Sequence, residues 1–324
     1  VQEALFLFDF FKNCYNQLLI MAKSALLKSS IAKKYWMALT GLFLCLFLTG
    51  HLLGNLQLIF SDAKHFNEYA LFMTSNPAVK ILSYLTYISI LFHAIDGLML
   101  AAQNKAARPV GYAKTNPSAN SSFASRNMAV LGTVILIFIV THMVNFWAKM
   151  HFDKNMPLAQ QESMQMPGQM EYIGAPGYRV QSIPAQGKSL HEMVEEVNKQ
   201  AMAQAQAMGE KNLEKARKFE VEGSDAIKDL KKGEIIFKGY KDLHKITIDF
   251  FKEPKYGLLF TLLYAASMIV LAFHLLHGFQ SAFQSLGATS SKFTPAIKFF
   301  GTAFAIVVPA LFAAIPVYIH FFLK

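Results

Sequence analysis

Cysteine is scarce in this chain: Cys14 and Cys45 are the two among 324 residues. That is too few for a disulfide framework or a thiolate metal centre. Any iron–sulfur cluster the system uses therefore belongs to another polypeptide. Charge is scarce too, since Asp, Glu, Lys and Arg make up 16% of the residues against 53% apolar. The charges are also bunched, leaving five stretches nearly free of them: residues 36–60, 79–102, 128–149, 256–279 and 296–322. Crossing a hydrocarbon core of about 30 Å at 1.5 Å per residue takes about 20 apolar residues. Each stretch is long enough, so the expected fold is an all-α integral membrane protein of five transmembrane helices. The net charge of +10 comes with no basic face or base-stacking module, which argues against a nucleic-acid partner.

The positive charge marks the membrane sides instead. Lys23, Lys28, Lys33 and Lys34 precede the first span, and Lys105, Arg108, Lys114 and Arg126 lie between the second and third with no acid among them. Lys292 and Lys298 lie unopposed between the fourth and fifth, whereas the first loop mixes Asp62, Lys64, Glu68 and Lys80. This places the N-terminus in the cytoplasm and the C-terminus outside, in a multi-pass protein of the cytoplasmic (inner) membrane. Residues 1–30 read as a cytoplasmic N-terminal extension. Val1 is not Met, and Met21 opens a plausible start, so residues 1–20 read as an upstream extension. A signal peptide is the alternative, although no small-residue cleavage site follows the short apolar run.

Residues 31–150 then hold helices 1–3, residues 151–254 an insertion facing outside, and residues 255–324 helices 4 and 5. The insertion's Lys and Arg do not contradict its side, because long loops escape the charge rule. Its first part, rich in Gln, Met, Pro and Gly, reads as irregular loop. Ser189 and Glu192 have capping-box spacing, and a helix is expected from there to about residue 220. From Ile235 to Phe251 the pattern fits strand or surface helix. A solvated cap over the membrane face and a docking surface for another protein both suit such a segment.

Ten histidines are present, and His51, His93, His142 and His274 lie well inside the first four spans, one in each. Ionisable residues inside spans are rare and point to function by default. Each histidine lies past the midpoint of its own span, and successive spans run in opposite directions. His51 and His142 therefore fall in the outer half of the membrane, His93 and His274 in the inner half. A six-coordinate haem iron takes one imidazole on each face from facing helices. Two pairs at two depths would hold two haems and make an electron path across the bilayer.

An internal repeat supports the inner pair. Phe92, His93, Gly97, Ala101 and Gln103 recur at identical offsets as Phe273, His274, Gly278, Ala282 and Gln284. The outer pair has a weaker echo, since Gly41 and Gly132 each stand ten residues before their histidine, His51 and His142. Gly50, Gly54, Gly97 and Gly278 also lie within about a turn of a histidine, where a missing side chain would let a macrocycle approach the backbone. His277 lies one turn after His274. The repeat aligns His274 with His93 and His277 with Asp96, which leaves His277 and Asp96 as neighbours of the ligands or of haem propionates.

The segments TGLFLCLFLTGHLLGN (40–55), HFNEYALFM (65–73), ILFHAIDG (90–97), VTHMVNFW (140–147) and AFHLLHGFQSAFQSLG (272–287) resemble a known family. It is the single-chain, five-helix, di-haem cytochrome b membrane-anchor subunit of succinate:quinone oxidoreductases and quinol:fumarate reductases. The likeness covers most of the membrane part and leaves out residues 151–254. It implies two b haems with His51/His142 and His93/His274 as axial pairs, and partner flavoprotein and iron–sulfur subunits on the cytoplasmic side. Electrons would pass between the iron–sulfur subunit and a quinone, normally menaquinone, with no catalytic residue for the dicarboxylate in this chain. Family fumarate reductases with a proton pathway carry Glu two residues before the fourth-helix ligand. Here Ala272 stands there, which leans towards succinate dehydrogenase.

Quinone candidates must offer a proton near a haem edge. Outside these are His65 and Glu68; inside they are Ser30, Lys34 and Trp36, for all of which interfacial anchoring or capping is the plainer role. Trp36 and Trp147 suit an aromatic belt. The other readings are a fumarate reductase, hydrogenase or formate dehydrogenase cytochrome, and a transporter using the histidines and Asp96.

Overall fold

The structure, a computed structural model, describes residues 29–110 and 116–323. The expectations for residues 1–28, with Cys14, Met21, Lys23 and Lys28, and for Lys114 and the Ser30 side chain lie outside the described residues. Five helices are long and apolar enough to cross a membrane, so the chain is a multi-pass membrane protein by length and composition. They are α1 (Ser30–Phe60), α3 (Pro77–Ala106), α4 (Met128–His142) with its continuation to Phe152, α7 (Gly257–Ser285) and α8 (Thr294–Phe321). A helix is the element that satisfies every backbone N–H and C=O within one segment, which hydrocarbon demands.

Local signals set the helix starts. Between α1 and α3 lies a short helix, α2 (Ala63–Ser75), whose N-cap Asp62 accepts from His65 N at 2.7 Å. Asn76 then caps α3, its side chain accepting from Ala78 N at 2.9 Å, with Pro77 at the first helical position, where its missing N–H costs nothing. Glu253 plays the same part before α7, accepting from Lys255 N at 3.0 Å.

The third span departs from regular helix just past His142. Met143–Ala148 form a π segment, and regular turns resume at Lys149–Phe152. A π turn holds one extra residue and leaves a local bulge, a feature frequent at functional sites.

The insertion carries two antiparallel three-stranded sheets, which the spans' helical pattern gives no sign of. Strands β1 (Gln160–Glu162), β2 (Met170–Ile173) and β3 (Ser182–Pro184) form the first; β4 (Phe219–Glu222), β5 (Ala226–Asp229) and β6 (Glu234–Lys238) form the second. The stretch expected as irregular loop is therefore partly a hairpin. Its Pro167-Gly168 pair sits in the connecting turn, with Gly168 at φ +84° and Gln169 N donating to Met166 O at 3.1 Å. Proline and glycine here close a turn between strands.

The amphipathic helix α5 (Leu190–Ala207) starts at the expected capping box, with Ser189 and Glu192 bonded reciprocally. It stops well before residue 220. Gly209 adopts φ +81°, Gly209 N donates to Gln206 O and Glu210 N to Ala205 O, each at 3.0 Å, the paired bonds of a left-handed helix stop. The ambiguous stretch 235–251 resolves into both options: β6, then helix α6 (Leu243–Lys252) capped by Asp242.

Leu190 and Val194 of α5 pack with Leu158, Tyr172, Ala185, Ile227 and the fully buried Phe237 in the insertion's main core. On the same helix face, buried Asn198 donates to Phe219 O at 2.8 Å and accepts from Lys218 N at 2.9 Å. Asn67 of α2, 2% exposed, ties α2 to α6. It donates to Asp242 Oδ1 at 2.8 Å and accepts from His244 N at 3.1 Å, while Phe66 meets the His244 ring edge-on at 5.9 Å.

The described residues divide into two compact units, one holding those up to 52, within 82–136 and within 266–312, the other those within 53–81, 137–265 and from 313 on.

Two outcomes are expected. Asn198→Ala strands the Phe219 carbonyl and the Lys218 amide, costing about 2–3 kcal/mol, visible as faster proteolysis of residues 190–238 in the intact protein. Burial holds the His244 imidazole below its ordinary 6.5, against the opposing pull of the Asp242 and Asp62 carboxylates. A neutral imidazole favoured by the fold gives a contribution that is full above 6.5 and declines as pH falls through the lowered folded value. Hydrogen exchange along α6 should quicken on acidification below pH 6.5, and His244→Gln should flatten that dependence.

Candidate functional site

In the first unit, α3 and α7 bring His93 and His274 together, with ring centroids 6.2 Å apart and planes at 71°. A single metal ion bonded to one nitrogen of each ring, at about 2 Å per bond, sets the centroids roughly 6 Å apart. The observed spacing fits such an ion.

Each ring rests against a glycine of another helix. A Cβ on Gly41 of α1 would lie 3.1 Å from His93 Cε1, and one on Gly132 of α4 would lie 3.5 Å from His274 Cε1. The two glycines that stand ten residues before His51 and His142 thus make room for the inner histidines, not for the ones that follow them in sequence. The helices carrying His51 and His142 thus supply the notches for His93 and His274.

Polar contacts distinguish the two rings. Thr40 Oγ1 lies 3.3 Å from His93 Nδ1, whereas His274 Nδ1 is buried without a hydrogen-bond partner. Neutral imidazole leaves one nitrogen free to bind a metal. Both rings suit that role.

His51, also in the first unit, stacks on Phe47 at 5.3 Å and lies 5.7 Å from Phe312 of α8. His142, in the second unit, lies among Phe138 at 5.8 Å, Phe146 at 5.3 Å and Tyr264 at 6.0 Å. These aromatic walls are apolar and bulky, the surroundings that exclude water from a planar cofactor. Asn145 on the π segment donates to Tyr264 hydroxyl at 3.1 Å, so the bulge directs a polar group at α7 one turn past His142. Sequence reasoning missed Thr40, Asn145 and Tyr264.

The remaining candidates separate. Asp96 and His277 are half-buried, each one turn beyond its histidine. Among the glycines near histidines, Gly50 and Gly97 face open space, while Gly54 abuts Tyr69 and Gly278 abuts Met128. The last two serve packing. His65, Lys34 and Trp36 are exposed and Glu68 is half-buried. Burial and the Glu68 carboxylate together push the Tyr240 phenol above its usual value, so Glu68 faces a tyrosine of the insertion. His320 of α8 donates through Nδ1 to Phe251 O at 2.7 Å, a structural role for the histidine of the last span.

Among the described residues no group of three or more His, Cys, Asp or Glu side chains is placed to hold a metal ion. Comparison with known proteins finds no family model, no curated protein and no solved structure that matches the chain.

The two notches differ in tightness, and substitution should expose this. Gly41→Ala forces its methyl against His93 and should cost about 1–2 kcal/mol. Gly132→Ala meets ordinary contact and gains helix propensity, so it should be neutral or stabilising by up to about 1 kcal/mol. Thermal unfolding of the two variants in detergent measures the contrast.

Proposed function

We propose that this chain is the di-haem cytochrome b membrane subunit of a succinate:quinone oxidoreductase, serving as the electron-transfer part of a succinate dehydrogenase. The observation that carries the reading is the inner pair: two intramembrane imidazoles at the spacing of a shared metal, each seated in a glycine notch. Open space beside Gly97 leaves room for a macrocycle edge.

In this reading His93 and His274 hold the inner haem, and His51 and His142 hold the outer one. Haem supplies a reversible one-electron carrier when bound. The chain's own residues do the rest. The glycines admit the ligand rings, Phe47 and Phe312 keep water from His51, and Phe138 and Phe146 keep it from His142. Asp96 and His277, one turn from the ligands, would be neighbours of the ligands or of the haem propionates.

The N-terminus is cytoplasmic in this assignment, and the Lys- and Arg-rich loops face the flavoprotein and iron–sulfur partners. Menaquinone is the electron partner in the membrane. Glu68 and His65 are the outer residues that would exchange protons with it, since Glu68 is sheltered and lies near Tyr240. Lys34, Trp36 and Ser30 are the inner alternatives.

The test is a reduced-minus-oxidised spectrum of the purified chain with haem counted per polypeptide. Two b-type haems are expected. His93→Ala and His274→Ala should each lose the same one, His51→Ala and His142→Ala the other, and His320→Ala neither. A haem-free preparation, or ligand losses that do not pair this way, would falsify the assignment.

A further inference from the structure

The two rings of the inner pair are seated alike but not bonded alike. Each lies against a glycine, yet the residue preceding that glycine differs: Thr40 before Gly41, Leu131 before Gly132. The Thr40 hydroxyl has one hydrogen to give. Its oxygen lies 2.7 Å from the Trp36 carbonyl and 3.2 Å from the Met37 carbonyl, and both of these can only accept. With the hydrogen given to the backbone, Thr40 Oγ1 accepts from His93 Nδ1 at 3.3 Å, the arrangement that puts the proton of His93 on Nδ1 and the lone pair on Nε2. Across the pair, Leu131 is buried and offers no polar atom, and His274 Nδ1 stays without a partner.

We infer that Thr40 is a positioning residue for the inner haem, fixing His93 as the Nδ1–H tautomer and making the two axial imidazoles of one iron electronically unequal. The inference rests on the di-haem reading. An acceptor at Nδ1–H makes the opposite nitrogen more basic, and a more basic ligand favours ferric over ferrous iron. Trp36 thereby gains a part apart from any quinone, because its carbonyl orients the hydroxyl that orients the ligand. Position 131 offers no such acceptor on the other face, so Thr40 adds to the asymmetry alongside the Met37 carbonyl, which also bonds His93.

The experiment is optical redox titration with low-spin ferric electron paramagnetic resonance on the full-length chain. Thr40→Val should raise the ferrous-to-ferric ratio of the inner haem threefold to tenfold at fixed potential. That is about 30–60 mV upward at 59 mV per decade for one electron, with the outer haem unmoved. Thr40→Ser should restore wild-type behaviour. Leu131→Thr supplies the missing acceptor, and should move the same midpoint downward even where Thr40→Val loads haem poorly. Midpoints and spectra unmoved in both Thr40→Val and Leu131→Thr overturn the role of Thr40, as does Thr40→Ser shifting as far as Thr40→Val. In those cases two haems remain. A wild-type chain without haem fails the di-haem reading instead.

Discussion

An imidazole inside a hydrocarbon layer is held only where its two nitrogens and its flat faces find company. Water is not there to supply it, and each unsatisfied polar group costs several kcal/mol or thereabouts. That constraint organises the membrane part of this chain. His93 has a hydroxyl at Nδ1, His93 and His274 have each other at 6.2 Å, and His51 and His142 have aromatic walls. The glycines at 41 and 132 follow from it, since rings that face each other across a narrow gap must back onto helices cut away to receive them.

The same constraint separates functional from structural histidines. His320 satisfies its Nδ1 on a backbone carbonyl, a sufficient reason for a polar residue near a helix end. A buried Nδ1 without a partner, as in His274, has no such reason within the chain.

The spans and the capping box at Ser189 were legible in the sequence, because each depends on residues close together along the chain. The partner of Gly41 was not. A ten-residue spacing suggested His51, but the notch faces His93, on another helix altogether. Thr40 with His93, Asn145 with Tyr264 and Asn67 with Asp242 join residues 53, 119 and 175 positions apart, and no periodicity reports such pairs. In the insertion, Pro167-Gly168 carried the right turn chemistry but was read as disorder of pattern. The strands beside it are three and four residues long, too short to show alternation.

The π segment at Met143–Ala148 has a consequence for how this helix could change over time. A surplus residue inside a helix is a phase adjuster: removing it turns everything on one side by about 100° against the other. Placed directly after His142, it lets Asn145, Phe146 and the path into the insertion take their angular positions independently of the histidine. The insertion could thus be lengthened, shortened or swung to a new heading by a single-codon change there, while the ring at 142 kept its aim.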